Sequence, residues 1–424
     1  MDAFTYINGE LYAEHVPVRR LAEEHGTPLY VYSRTAMQAQ YRALADALSA
    51  VEPLVCYSVK ANSNRAVIRT FLDLGAGLDI VSGGELFRAL RAGADPATIV
   101  FAGVGKTRDE IRYALRENIR CFTVESEPEA QRIAACAAEL GTVGRIAFRV
   151  NPDVDPQTHQ YISTGKKENK FGLDLARAER AYAAAAELAG LEIVGLHMHI
   201  GSQILSPAPF ADALAKIAGL CSRLRERHPT FDTLDIGGGL GIRYRPDETA
   251  LDPRVYAESV VPRLRELGLR VILEPGRSMV GNAGILVTRV QYVKEGPAKK
   301  FLVVDAGMSE LIRPSLYQAH HDIVPVVATD SVVHGDLVGP ICESGDFFAA
   351  ERDLPAVGED DLLAVRSAGA YGYAMASTYN SRPLPAEVMV DDGRARAISR
   401  RGTWEDLVRW EEEAAGRLDR QEGG

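Results

Sequence analysis

From residue 54 onward, short and nearly continuous apolar runs alternate with longer segments of helical character. The runs are LVCYSV (54–59), LDIVS (78–82), TIVFAGV (98–104), CFTVES (121–126), RIAFRV (145–150), EIVGLHMHI (192–200), TLDIGG (233–238) and RVILEP (270–275). A strand half open to water alternates apolar and polar residues, whereas one covered on both faces reads as an unbroken apolar run, as these do. Between them lie Ala- and Leu-rich stretches such as AERAYAAAAELAG (178–190) and DALAKIAGLCSRLRER (212–227). These are good helix formers at helical spacing. Eight strands alternating with helices predict a (β/α)8 barrel of the TIM type. A doubly wound open sheet competes, and the count of eight favours the barrel.

After about residue 280 the helical rhythm stops. GILVTRVQYVKE (284–295), KFLVVDAG (300–307) and LLAVRSAGAYG (362–372) read as strands with turns, as do FTYINGELYAEHV and TPLYVYS near the N-terminus. The expected organisation is an α/β chain with a barrel over residues 30–278. A second, mainly β domain is expected from residues 1–29 and 279–424. A polar excursion, NPDVDPQTHQYISTGKKENKFG (151–172), follows the fifth strand. It reads either as a lid over the strand ends or as an ordinary surface loop.

Composition narrows the function classes. The 424 residues carry 48 Lys+Arg against 58 Asp+Glu, a net charge of −10, with no basic block. That balance argues against a nucleic acid or an anionic membrane as partner. The five cysteines are scattered without a C-x-x-C pair, so neither a zinc cage nor a disulfide framework is indicated. No apolar run approaches the roughly 18 residues of a membrane helix. The N-terminus, MDAFTYINGE, is too polar and acidic for a signal peptide. A cytoplasmic location is therefore expected.

In a barrel, chemistry is assembled at the C-terminal ends of the strands. Strand one ends YSVK, with Lys60 at the rim; strand six ends HMHIGS, with His197 and His199 on one face at period two; strands seven and eight run into GGGLG (237–241) and EPGR (274–277). Consecutive glycines let backbone N–H groups approach an anion, and phosphate sites favour the loops after strands seven and eight. A lysine desolvated at the rim is a better partner for a carbonyl, and a carboxylate can keep a heterocyclic nitrogen protonated. These are the requirements of pyridoxal 5′-phosphate (PLP). Each element alone has a commoner explanation: a rim lysine reaching for water, a tight glycine turn, a structural histidine. Their placement at successive strand ends is what favours PLP. Two other readings fail. GVGKT (103–107) lacks the first glycine of a P-loop, since Val100 stands there. The H-x-H pair would need further His and Asp ligands to make a metal hydrolase, and strand ends four, five, seven and eight offer no His.

The segments CYSVKANSN (56–64), VSGGEL (81–86), STGKKENKFG (163–172), HIGSQ (199–203), DIGGGLG (235–241), EPGR (274–277), LIRPSLY (311–317), CESGD (342–346) and AGAYGYAMASTYNSRP (368–383) run in order through most of the chain. With them the chain resembles the diaminopimelate decarboxylases, PLP-dependent decarboxylases with an alanine-racemase-type barrel. The resemblance implies Lys60 as the Schiff-base lysine and His199 stacked on the ring. It places Ser202, Gly237, Gly238, Gly239, Pro275, Gly276 and Arg277 around the phosphate, with Tyr371 touching both phosphate and substrate. It pairs Glu274 with the pyridinium nitrogen and Arg149 with the phenolic oxygen.

The implied reaction is decarboxylation of meso-2,6-diaminopimelate to L-lysine and CO2, with no metal. Arg277, Arg313, Tyr317, Glu343 and Tyr371 would read the substrate's far amino-acid head, arginines and phenols on its carboxylate and Glu343 on its ammonium. Cys342 would return the proton. Cys342 and Glu343 would reach into a partner's site, which implies a homodimer with shared active sites. The alternative is a related decarboxylase acting on ornithine, arginine, carboxynorspermidine or a carrier-linked amino acid.

Overall fold

A computed structural model describes residues 2–155, 171–296 and 299–422, with side chains through residue 415. The chain divides into two compact units: Met37–Arg243 with Glu248–Val280, and Met1–Ala36 with Tyr244–Asp247 and Gly281–Gly424.

The first unit is the barrel. Its strands are β1 (Leu54–Ser58), β2 (Gly77–Ile80), β3 (Ile99–Phe101), β4 (Cys121–Val124), β5 (Gly144–Asn151), β6 (Leu191–His197), β7 (Thr233–Asp235) and β8 (Arg270–Leu273). Each pairs in parallel with the next, and β8 closes on β1 through Ile272 opposite Leu54 and Leu273 opposite Val55. All eight expected strands are present, and the open-sheet alternative is excluded by that closure. Cys56, Val100, Cys121 and Ile272 pack together inside, with Leu54 and Val194 against them. Burial pushes the Cys121 thiol up to about 12, so it serves as a small apolar residue there.

Helix starts follow from side-chain caps placed just after the strands. Ser82 Oγ accepts from the Glu85 N–H and Asn64 Oδ1 from the Ala66 N–H. Thr107 and Glu110 form a capping box at the start of Arg108–Arg116. The GVGKT segment is thereby explained: Thr107 is a cap, and Lys106 is buried with its Nζ on Gly103 O, Thr123 O and Glu129 Oε1 at 2.9, 2.7 and 2.7 Å. The excursion at 151–172 falls, for residues 156–170, outside the described residues, and most of STGKKENKFG with it.

The second unit is built on a sheet with an inner strand, Leu29–Ser33, that is wholly buried. It pairs antiparallel with Gly284–Glu295 and parallel with Ala386–Asp391. Lys300–Val304 and Leu362–Val365 flank Gly284–Glu295. One expectation fails here. The helical rhythm does not end at residue 280, because Trp404–Glu422 is a helix. Its signal is a polar start, TWED: the Asp406 N–H donates to Thr403 Oγ1 and the Thr403 N–H to Asp406 Oδ2. Through residue 415 the helix is mostly exposed, with Trp404 and Trp410 facing outward rather than into a core.

Candidate active site

Lys60 stands just past β1 with its side chain 40% exposed, and its Nζ donates to Asp79 Oδ2 at 2.6 Å. The sequence suggested a desolvated amine; the structure gives a paired one. Asp79, at the third position of β2, is fully buried and also accepts from Ser58 Oγ at 2.6 Å. Burial raises its carboxyl, the Glu274 charge adds to this, and Lys60 and Ser58 work against it. Nearby, Glu85 Oε2 accepts the Val81 N–H at 2.7 Å, and burial pushes this carboxyl up to about 7. Neither acid was singled out from the sequence. The signal was available in LDI, where a charged residue interrupts an otherwise apolar strand.

Glu274, immediately after β8, is buried and accepts from His197 Nε2 on Oε2 at 3.0 Å. Its Oε1 is buried without a hydrogen-bond partner. Burial is the largest single influence and pushes the carboxyl up. It is outweighed by the charge and hydrogen bond of His197 with the charge of Lys60, so Glu274 sits well below the usual carboxylate range and is an anion. Its buried neighbour Asp235, the last residue of β7, goes the other way: burial and the Glu274 charge raise it far above that range. One negative charge is thus held by two acids. Ligand atoms of His197, Asp235 and Glu274 lie within 4.8 Å of one another, a spacing that would suit a metal. They are instead bonded within the site, Asp235 Oδ1 accepting the Gly237 N–H at 2.8 Å.

His199 Nδ1 accepts the Gly238 N–H at 3.3 Å, and burial together with the Arg149 charge lowers its pKa well below the ordinary value, so the ring is neutral. The glycines are fixed by close backbone approach. A Cβ on Gly238 would lie 2.2 Å from Glu274 O, and on Gly239 2.4 Å from Gly201 O. Gly237 and Gly239 also have φ of +67° and +106°, which side chains resist. Pro275 O accepts the Ser58 N–H at 3.1 Å, and a Cβ on Gly276 would lie 2.9 Å from Ser58 Cβ. Arg277 Nη2 donates to Ser202 Oγ at 2.9 Å. Arg149 Nη1 donates to Glu125 Oε1 at 3.2 Å, its guanidinium lies over the Phe171 ring, and its Nη2 is buried without a partner.

These residues fit PLP. A buried anionic oxygen with no partner suits a protonated ring nitrogen. A buried donor without a partner, Arg149 Nη2, suits a ring oxygen. Ser202 and Arg277 beside a glycine loop suit a phosphate dianion.

In the second unit Arg313 opens the short helix Arg313–Tyr317. Its guanidinium lies 5.2 Å from the Tyr244 ring centre and 5.8 Å from that of Tyr317, and its Nε faces His321 Nε2 at 3.4 Å. Cys342 and Glu343 are exposed. The Cys342 N–H donates to Asn380 Oδ1 at 2.8 Å, and Tyr379 Oη donates to Glu343 Oε2 at 3.3 Å. Tyr371 has φ of +56°, an uncommon conformation for a residue with a side chain. Tyr244 and His321, which order Arg313, were not legible in the sequence, because nothing in it links them to LIRPSLY.

A closed parallel barrel with a rim lysine, a neutral imidazole, an anionic carboxylate with one oxygen left unbonded and a Ser–Arg pair at strand ends defines a PLP-dependent barrel enzyme. Residues 34–281 match the family model described as pyridoxal-dependent decarboxylase, pyridoxal binding domain. A diaminopimelate decarboxylase from Pseudomonas aeruginosa is 53% identical over 408 residues, covering 96% of this chain and 98% of that protein. The crystal structure of diaminopimelate decarboxylase from Helicobacter pylori complexed with L-lysine has a TM-score of 0.90 at 41% identity, covering 93% of this chain and 99% of that one. That from M. jannaschii in co-complex with L-lysine has a TM-score of 0.91 at 37% identity, covering 96% and 97%. The chain belongs to the diaminopimelate decarboxylase family.

Proposed function

We propose that this chain decarboxylates meso-2,6-diaminopimelate to L-lysine and CO2, the last step of lysine synthesis. The observation that carries the reading is near-full-length similarity to diaminopimelate decarboxylases, two of them bound to L-lysine, on a barrel whose strand ends suit PLP. PLP supplies an electron sink for the pair left behind when a carboxylate departs as CO2. Lys60 would hold it through its amine, and Ser202, Arg277 and the Gly237–Gly239 backbone through its phosphate. Glu274 would hold a proton at the ring nitrogen. Neutral His199 would lie against the ring without adding a charge, and Arg149 would donate to the phenolic oxygen.

Arg313, with Tyr317, Tyr371 and Arg277, would take the distal carboxylate of the substrate, and Glu343 its distal ammonium. Cys342 would donate the proton that replaces CO2. Cys342 and Glu343 are exposed in the single chain, which suits the proposed reach into the site of a second copy in a homodimer. The domain made of residues 1–29 and 279–424 would carry both the substrate-reading residues and that interface, and the barrel domain 30–278 the cofactor. Among the described residues no helix is long and apolar enough to cross a membrane, and a cytoplasmic location suits the proposed reaction.

The test is lysine formation from meso-diaminopimelate by the purified protein with added PLP, with ornithine and arginine run in parallel. Selective formation of lysine is expected. PLP uptake without lysine would keep the cofactor and sink the substrate.

A further inference from the structure

We propose that His197 is a positioning residue for the cofactor: its Nε2–H pins Glu274 Oε2 so that Oε1 is presented to the ring nitrogen of bound PLP. The inference rests on the PLP reading above and deepens it. The backbone of Glu274 is fixed on both sides, its N–H donating to Gly237 O at 2.8 Å and its carbonyl accepting from Ser58 Oγ at 3.0 Å. That leaves the side-chain torsions, the last of which turns the carboxylate and has a broad, roughly two-fold preference.

His197 removes this freedom. It is the last residue of β6, and Glu274 follows β8, so their 3.0 Å bond spans the interior across β7. Side chains from alternate strands share a layer inside a barrel, which brings the two within reach. Both side chains are essentially shut off from water, at 1% and 5% exposure, so no solvent molecule competes for Oε2. The other acids around the carboxylate have bonds of their own. Asp235 accepts the Gly237 N–H, and Asp79 accepts from Lys60 and Ser58. Asp235 is a second side-chain hydrogen-bond partner of Glu274; among the described residues His197 is the nitrogen donor that holds Oε2, and Oε1 accepts no N–H. Orientation by an outer partner of this kind is the usual way a directly contacting group is held in a productive pose.

The test compares His197→Gln, whose side-chain amide N–H falls near the position of Nε2, with His197→Asn, whose N–H falls near Nδ1 and is too short to reach Glu274. Each full-length variant is loaded with PLP and followed by visible absorbance, by PLP dissociation constant, by kcat and KM, and by melting temperature without PLP. We expect His197→Gln to stay close to wild type. His197→Asn should lose PLP affinity and kcat by on the order of tenfold or more at little-changed KM, the scale on which outer partners act. Both should melt alike.

In a Glu274→Gln background His197→Asn should add no further loss of kcat. Equal behaviour of the Gln and Asn variants, or a loss that adds in full to that of Glu274→Gln, would overturn the proposal. If the Asn variant does not fold, His197→Met, similar in volume and without a donor, replaces it in the same comparison. Wild-type protein that takes up no PLP would sink the cofactor reading and this inference together, whereas uptake by wild type with no difference among variants sinks this inference alone.

Discussion

At the scale of single residues, the site is governed by which acids keep their protons. Glu274 is an anion because the charge and hydrogen bond of His197, together with the Lys60 charge, outweigh its burial, while Asp235 beside it is pushed up by burial and by the Glu274 charge. Glu85 lies between these extremes, raised to about 7. A carboxyl raised in the folded state binds its proton more tightly there than in the unfolded chain. Its stabilising contribution is complete below the ordinary carboxylate range and is lost as the pH rises to about 7. Glu85→Gln, which keeps an oxygen for the Val81 N–H, should therefore stabilise the PLP-free protein. The gain should grow from pH 5 to pH 7, reach on the order of 1–3 kcal/mol, and stay flat above that. Thermal melts of both proteins across that range check it; a gain independent of pH would place its origin elsewhere.

Arg313 carries the other residue-level prediction. Arg313→Ala should lower kcat/KM for diaminopimelate by on the order of 10²- to 10⁴-fold, the scale at which a site built for a polar group loses its partner. PLP loading, read by absorbance, should be unchanged.

At the scale of elements, the sequence and the structure agree where burial is continuous and part company where a single polar residue matters. Each barrel strand was legible because both its faces are covered, which leaves an unbroken apolar run. The cluster around Glu274 was only half legible. Lys60, His199 and Glu274 sit at strand ends, where polar residues stand out. Asp79 and Asp235 sit inside apolar strands, and a linear pattern does not say that a lone carboxylate faces the interior beside another. The Trp404–Glu422 helix was missed because it is exposed and its start is marked only by a cap.

Lys106 shows the same limit from another side. The GVGKT segment fails as a phosphate loop, yet nothing in the sequence gives its actual task, which is to tie the loop after β3 to β4 and to Glu129. Lys106→Met should cost about 3–5 kcal/mol, because Glu129 would keep its charge in the interior without its partner. Urea unfolding compared with wild type checks this. The double variant Lys106→Met, Glu129→Leu should recover much of the loss.

At the scale of the whole molecule, the proposed homodimer makes a prediction that a single chain with a complete site does not. If Cys342 serves the partner's site and Lys60 its own, Lys60→Ala and Cys342→Ala proteins should each be nearly inactive. Mixed under conditions that exchange subunits, they should regain activity, since the mixed dimer carries one intact set. Absence of recovery after verified exchange would mean that both residues act within one chain.

The strand Leu29–Ser33 sets a schedule for synthesis. Its antiparallel partner begins at Gly284 and its parallel partner at Ala386. At about 5–20 residues per second, the first partner emerges from the ribosome on the order of 10–50 s after this strand does. The first seven barrel strands emerge early in that interval, and the eighth, Arg270–Leu273, only just before Gly284. LYVYS, buried along its whole length in the finished sheet, meanwhile waits with both edges open. The growing chain thus carries a pairing-prone segment ahead of both strands that will flank it. Conditions that slow elongation through the barrel should raise the demand for chaperones and the yield of aggregate, and a circular permutant beginning near Gly281 and re-entering at Asp2 should relieve both.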